Sequence, residues 1–273
     1  RRGAGGAKLD GGGCIGRHYS HGHWGALLTA IFHGQRGAVC LTCLRCYNIS
    51  NWGYTMCDQN LELAARAKKI ATSTFANSLD DFGLAGCILP TIKAVAPGMR
   101  AVGPAVTVLE SVGDAHTYKS EDFKIGAIID AAKFGDMIVI SGGGARVSTW
   151  GGMASFAAKK KGVVGLLADI GVRDLEEMME FQFSVFARHV TPLTGRTRLK
   201  IEKINEPVKV DGVLIEPGDL IVADGTGVVV LPSARAEEVV VNAERYSADD
   251  SKAIKDLDAG LTFSDAMVKY TRI

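Results

Sequence analysis

The sequence predicts an α/β domain with a mixed central sheet over residues 56–273, preceded by a leader, residues 1–55, of different character. Three observations carry this reading. Short β-rich runs alternate with helical stretches between residues 60 and 187, the pattern of layered α/β folds. After Pro192 strands follow one another directly, separated by Asp-Gly steps that suit tight turns. Before Met56 no helix or strand period is sustained.

In order along the chain, Asn60–Ala76 reads as a helix, with Leu61, Ala64, Ala65 and Ile70 near a 3.6 period, ended by the segment Ser78 to Gly83. Strands are predicted at Ala105–Leu109, Met137–Ile140, Val163–Ala168 and Ser184–Ala187. Helices are predicted between them at Glu121–Lys133, Met153–Lys161 and Leu175–Glu180. Leu199–Ile204, Val208–Val210, Leu220–Ala223 and Val228–Leu231 form the late antiparallel patch, with Asp211-Gly212 and Asp224-Gly225 as turns. Ser233 is expected to cap a charged helix running through Arg245, and Thr262 to open a last short one.

The 273 residues carry 31 Lys plus Arg against 30 Asp plus Glu, and 47% are hydrophobic, enough for a substantial core. A net charge of +1 supplies no basic field for a nucleic-acid backbone or an anionic membrane. No apolar run approaches the roughly 20 residues of a membrane span. A cytoplasmic protein with neither nucleic acid nor membrane as partner is expected. The balance is a cancellation: the leader holds six bases and one acid, leaving 25 bases and 29 acids on residues 56–273.

The leader's Cys40-x-x-Cys43-x-x-Cys46 run, near His18, His21, His23 and His33, has thiolate spacing that can wrap zinc or an iron–sulfur cluster. No second half-site supplies the remaining ligand. The apolar stretch 24–32 is too short and too late for a secretory signal. The leader is therefore expected to be an extension outside the fold, non-native or disordered, and without a disulfide framework a reducing compartment is the simpler assumption.

The chemistry concentrates in two junctions. In Ile138 to Ser155 a buried strand leads through Gly142-Gly143-Gly144 and Trp150-Gly151-Gly152 into a helix start. Free N–H groups there, approached closely because glycine lacks a Cβ, make a cradle for a carboxylate or phosphate, although glycine after a strand is also an ordinary turn. The missing Gly-Lys-Ser/Thr excludes a P-loop, and the glycine spacing excludes a dinucleotide fingerprint. In Leu166 to Asp174 a second strand delivers adjacent Arg173 and Asp174 after Gly171. Arg173 suits an anion and Asp174 a cation. An equal alternative has Arg173 paired at the surface and Asp174 capping the next helix.

From about Ala65 to Gly260 the chain resembles the RraA-like family, which groups regulators of ribonuclease activity with 4-hydroxy-4-methyl-2-oxoglutarate aldolases. The resemblance rests on Gly142-Gly143-Gly144, Trp150-Gly151-Gly152-Met153-Ala154, Gly165 through Asp174, Val185-Phe186-Ala187-Arg188, Pro217-Gly218-Asp219 and Ala223 through Val228. It implies a three-layer β/β/α swivelling domain assembling as a homotrimer or hexamer with sites between subunits. In the aldolase branch it implies a divalent cation (Mg2+, Mn2+ or another) and 2-oxo acid substrates. Asp174 would be the metal's protein ligand and Arg173 the catalytic cation beside the developing enolate. The N–H groups of Gly152, Met153 and Ala154, following Gly151, would receive the substrate carboxylate.

One departure stands out. Family members often carry an acid where this chain has Gly152, and losing a residue that orients a metal-bound water typically costs about 10- to 100-fold. Asp249 or Asp250 is the candidate for a carboxylate contributed across a subunit boundary. Asp169 and Asp114 are nearer in sequence but read more simply as turn or surface residues. His189 and His116 read as structural hydrogen-bonding residues, Trp150 as packing beside the cradle, Cys57 and Cys87 as ordinary thiols, and Lys159-Lys160-Lys161 as a solvated helix end. Two functions follow: a metal-dependent carbon–carbon lyase releasing pyruvate through its enolate, or a non-catalytic regulator that docks on a ribonuclease or another protein. A methyltransferase finds no support, since no adenosyl-methionine loop is seen.

Overall fold

The chain's computed structural model describes residues 54–270. The leader's Cys40, Cys43 and Cys46 lie outside the described residues, as does the side chain of Cys57. Among the described residues no helix is long and apolar enough to cross a membrane.

Two helices come first, α1 (Tyr54–Ala67) and α2 (Thr72–Asp81). Short strands β1 (Ile88–Leu89) and β2 (Lys93–Ala94) lead into β3 (Ala101–Val112). The alternating region is α3 (Ile125–Ala131), β4 (Met137–Ser141), β5 (Ser148–Trp150), α4 (Gly152–Lys161), β6 (Gly165–Val172), α5 (Leu175–Glu180) and β7 (Ser184–Val190). The late part is β8 (Leu199–Ile204), β9 (Val208–Val210), β10 (Val213–Ile215), β11 (Leu220–Ala223), β12 (Val228–Leu231), α6 (Ala236–Asp258) and α7 (Phe263–Lys269).

The sheet runs β1-β12-β11-β3-β4-β6-β7-β2, with β5 on β6, β8 on β3 and β9–β10 as a separate hairpin. It is mixed, as the sequence predicts: β3, β4, β6 and β7 are parallel, while β11, β12 and β8 join antiparallel. The twelve-residue β3 spans both parts, pairing with β11 through Ala101–Pro104, with β4 through Ala105–Leu109 and with β8 through Val108–Val112.

Alternation along β11 and β12 explains the layers. Leu220, Val222, Val229 and Leu231 face one way and pack with Leu63, Phe75, Leu79 and Val239 of α1, α2 and α6. Ile221, Ala223, Val228 and Val230 face the other way, into the core built on β4, β6 and β7. Helix, sheet and sheet thus stack in three layers, and β4 and β6 are buried along their whole length.

Four sequence expectations are corrected. The helix expected at Asn60–Ala76 is two helices, because the chain turns extended at Ala71 (φ −68°, ψ 149°). The break is set from afar: the Asp224 carboxylate accepts from the Thr72 N–H at 2.9 Å and the Thr72 hydroxyl at 2.7 Å, and Arg100 donates to the Ile70 carbonyl. Replacing Asp224 by alanine strands these buried donors, at an expected cost of about 2–3 kcal/mol. Urea denaturation reads the loss, and tryptic cleavage at Lys68 or Lys69 should accelerate. Ser233 does not cap α6. Its N–H is taken by Asp219 at 2.8 Å, and the helix starts after Arg235 and continues to Asp258. The Glu121–Lys133 stretch is a 3₁₀ turn, Ser120–Asp122, followed by the shorter α3. Lys159 and Lys161 do not simply point to water but donate to the Phe181 carbonyl and to those of Ile129 and Asp130. Elsewhere the turn chemistry holds: Asp211 (φ 51°) and Gly212 (φ 88°) take the left-handed conformations a two-residue hairpin needs, and the Thr262 hydroxyl accepts from the Asp265 N–H.

Candidate active site

β5 and β6 run parallel, and both end at one edge of the sheet. β5 gives way to α4 at Gly151, and β6 gives way to α5 at Arg173 and Asp174. The Arg173 N–H donates to the Trp150 carbonyl at 3.0 Å, so the two helix starts are tied together. Ligands of open α/β sheets collect at the carboxyl ends of parallel strands. A cleft of about 170 Å³ lies here, bounded by residues 148–154, Arg173, Asp174 and Thr194, with Phe123 and Ile125 also on its wall.

Asp174 adopts a left-handed backbone (φ 61°, ψ 50°) that few residues other than glycine, asparagine and aspartate tolerate. Asp174 occupies the N-cap position of α5, but its side chain makes no capping hydrogen bond there. The carboxylate turns back instead, so that Oδ2 accepts from the Gly152 N–H at 3.2 Å and stands 3.5 Å from Arg173 Nε. Both side chains are partly exposed, so the ion pair itself is worth little. What matters is that a cation and a carboxylate share one cleft. Directly above them α4 starts with open donors: the N–H groups of Met153 and Ala154 have no acceptor among the described residues. Of the three N–H groups expected to form the cradle, two are open and the third, on Gly152, serves Asp174.

The glycines here are spatial requirements. A Cβ on Gly151 would overlap Asp174 Oδ2 and lie 3.3 Å from Arg173 Nε. A Cβ on Gly152 would overlap Glu177 Oε2 and lie 2.6 Å from that residue's Cδ. Glu177 of α5 thus lays its carboxylate where a side chain at position 152 would begin. Since Glu177 Cβ is only 2.7 Å from the same point, the side chain cannot simply swing aside. Gly152→Ala is expected to cost about 1–3 kcal/mol, and Glu177→Ala in the same chain to recover part of it. A denaturation double-mutant cycle measures that coupling.

Trp150 braces the site as its packing role predicts: it is buried, its Nε1 donates to Ser155 Oγ at 3.0 Å, and its ring stacks on Phe183. Ser155 in turn donates to the Gly151 carbonyl at 3.0 Å, fixing the turn into α4.

Beneath the cleft lies a residue with no place in the sequence reading. Glu110 of β3 is 5% exposed, and its Oε1 accepts from the Thr149 hydroxyl at 2.6 Å. Burial pushes its carboxyl up to about 7, against the opposing pull of that hydrogen bond. A lone acid on the face shared with Val106 and Val108 was the available signal. Ser148 and Thr149 were also missed, because a three-residue strand leaves almost no periodic trace, and Thr194 makes only an isolated bridge to Ser148.

The remaining candidates fall elsewhere. Gly142–Gly144 form a turn away from the cleft lining, with the Gly144 N–H on the Asp169 carbonyl at 2.9 Å. Asp169 is buried in an ion pair with Arg188, which also reaches Asp211 at 2.7 Å. His189 Nε2 meets the Gly144 carbonyl at 3.0 Å, and the His116 N–H donates to Thr197. Asp249 and Asp250 lie on α6, and Asp249 pairs with Lys252 at 2.8 Å. Neither borders the cleft within one chain. Cys87 is a free thiol raised above its usual pKa by burial.

A family model described as Aldolase/RraA matches residues 54–230. An uncharacterized protein of Methanocaldococcus jannaschii is 34% identical over 178 residues, covering 64% of this chain and 82% of that one. A Halalkalibacterium halodurans protein with the provisional name 4-hydroxy-4-methyl-2-oxoglutarate aldolase is 31% identical over 205 residues, covering 74% and 92%. Among solved structures, Streptomyces coelicolor RraAS2, described as an unusual member of the RNase ES inhibitor RraA protein family, superposes with TM-score 0.62 at 26% identity, covering 72% of this chain and 96% of its own.

Proposed function

The chain belongs to the RraA-like family, and from that premise we propose that it is a divalent-metal-dependent carbon–carbon lyase acting on 2-oxo acids. The observation that carries this reading is the convergence of Arg173, Asp174 and the open N–H groups of Met153 and Ala154 on one cleft. The name of the Halalkalibacterium halodurans relative supports the aldolase branch.

The donors suit a hard cation. Asp174 offers carboxylate oxygen, and among the described residues no thiol or imidazole borders the cleft and no cluster of three ligating side chains is found, at the cleft or elsewhere. Asp174 would hold magnesium or manganese, with water and substrate as the other ligands. The ion would supply Lewis acidity at the substrate's carbonyl oxygen. The chain's own groups do the rest. The N–H groups of Met153 and Ala154 bind the substrate carboxylate at the positive end of α4. Arg173 stabilises negative charge as the bond between the carbons α and β to the ketone breaks and its electron pair moves into the pyruvate enolate. In an aldol substrate the β-hydroxyl gives up its proton as it becomes a carbonyl, which balances the proton the enolate later takes up. Protonation of that enolate at carbon releases pyruvate. Oxaloacetate meets the same requirements, losing carbon dioxide as the other fragment.

Assembly as a homotrimer or hexamer belongs to this reading, with Asp249 or Asp250 of a neighbouring copy completing the cleft, and light scattering reports the mass. The deciding experiment is a coupled assay for pyruvate from oxaloacetate and from 4-hydroxy-4-methyl-2-oxoglutarate, with magnesium and with chelator. Turnover that stops on chelation is expected, and no turnover of several 2-oxo acids would sink the proposal. Similarity to Streptomyces coelicolor RraAS2, a member of an RNase inhibitor family, favours a second reading, a regulator docking on a ribonuclease. That reading requires ribonuclease inhibition undiminished in Asp174→Ala.

A further inference from the structure

Glu110 sits on β3 where the register with β8 shifts, facing Ile201 across the ladder. One oxygen is held by Thr149, and the other, Oε2, is buried with no partner among the described residues. Thr149, 2% exposed, is also among the residues that border the cleft, so one residue joins the buried acid to the ligand space.

A buried carboxylate with one hydrogen bond is costly when ionised. Among the described residues no opposite charge offsets that cost. β5 presents the Thr149 hydroxyl, and β4 and β11 carry no ionisable residue. On β8, Lys200 pairs with Glu202 and Lys203 with Glu206. Asp169 of β6 pairs with Arg188, and Arg66 of α1 with Glu237 and Glu244. Glu62 of α1 and Lys209 of β9 are exposed.

A hydroxyl has one proton to donate and can accept as well. While Glu110 is ionised, Thr149 must give its proton to the carboxylate. Once Glu110 is protonated, its own O–H can serve the threonine oxygen, and the threonine proton is released to face an anion. We propose that Glu110 and Thr149 form a proton-coupled part of the anion site: a carboxylate ligand entering the cleft draws one proton onto Glu110, and the Thr149 hydrogen bond reverses. Glu110 is a positioning residue acting through Thr149. The inference rests on the cleft being the 2-oxo acid site.

The test is calorimetric titration of the magnesium-loaded protein with oxalate, a planar mimic of the pyruvate enolate, across pH 6 to 9 and in buffers of different ionisation enthalpy. Wild type is expected to take up close to one proton per oxalate at pH 8, and its Kd to weaken by up to about tenfold per pH unit above 7. Glu110→Gln and Thr149→Val, each checked for a native circular dichroism spectrum, should bind with a flat profile and no uptake. Zero uptake by wild type at pH 8, or uptake undiminished in both variants, overturns the proposal. Asp174→Asn, which keeps the left-handed turn, separates the two levels of inference. If it binds oxalate as wild type does, the cleft is not the site and the lyase reading fails with it. If it loses binding while Glu110→Gln keeps the wild-type profile, the proton coupling alone is wrong.

Discussion

Replacing Asp174 by asparagine is expected to reduce magnesium-dependent pyruvate release from oxaloacetate by about 10²- to 10³-fold, with little change in stability. Asparagine tolerates the left-handed backbone at φ 61° and can still accept from the Gly152 N–H, so the substitution removes charge and leaves the turn intact. Alanine would lose the same activity but add backbone strain of about 1 kcal/mol or more, which blurs the result. Arg173→Ala should show a comparable loss, concentrated in kcat, because the guanidinium is needed most as the enolate charge develops. A steady-state coupled assay beside a thermal melt makes the distinction. Full activity in Asp174→Asn would remove the metal from the mechanism.

Glu110→Gln is expected to abolish a pH dependence of folding that wild type carries. In the unfolded chain the carboxyl ionises near the ordinary value of 4.5, and in the folded chain burial holds it at about 7. Between those values the folded state binds the extra proton, so stability falls as the pH rises through this window and levels off above it. A shift of that size corresponds to about 3 kcal/mol. Asp211 and Asp224, whose carboxyls are held low by hydrogen bonds against the cost of burial, act in the opposite sense and at acid pH. Urea midpoints of wild type and Glu110→Gln at pH 5 and pH 8 isolate the effect. Equal pH dependence in the two proteins would show that Glu110 is solvated in the native state.

The sequence was most legible where local chemistry decides the structure. The strands Leu199–Ile204, Val208–Val210, Leu220–Ala223 and Val228–Leu231 and the helix Leu175–Glu180 stand as read, because Asp-Gly turns and short apolar runs punctuate them. It was least legible where a distant residue intervenes. The break between α1 and α2 depends on Asp224, 152 positions away, and no window around Thr72 contains it. Ser233 looks like a helix cap until Asp219 takes its N–H. The site divides the same way. Arg173, Asp174 and residues 151–154 announce themselves in two adjacent junctions. Glu110 and Glu177 come from elements with other evident duties and meet the cleft region only in three dimensions.

The sharing of β3 among three partner strands bears on how the protein comes apart. A sheet assembled from separable halves can open at the seam, but here one continuous strand hydrogen-bonds to β11, β4 and β8 in turn. The helical layer packs on β11 and β12, while the cleft hangs from β5 and β6. Neither side has a ladder it can give up without exposing the other. The amides of Ala105 to Val108 should therefore be among the slowest to exchange with deuterium, and should exchange only on global opening. A ligand held at Arg173 and Asp174 would then slow exchange as far away as β12, because occupying the cleft and keeping the whole domain folded draw on one cooperative equilibrium.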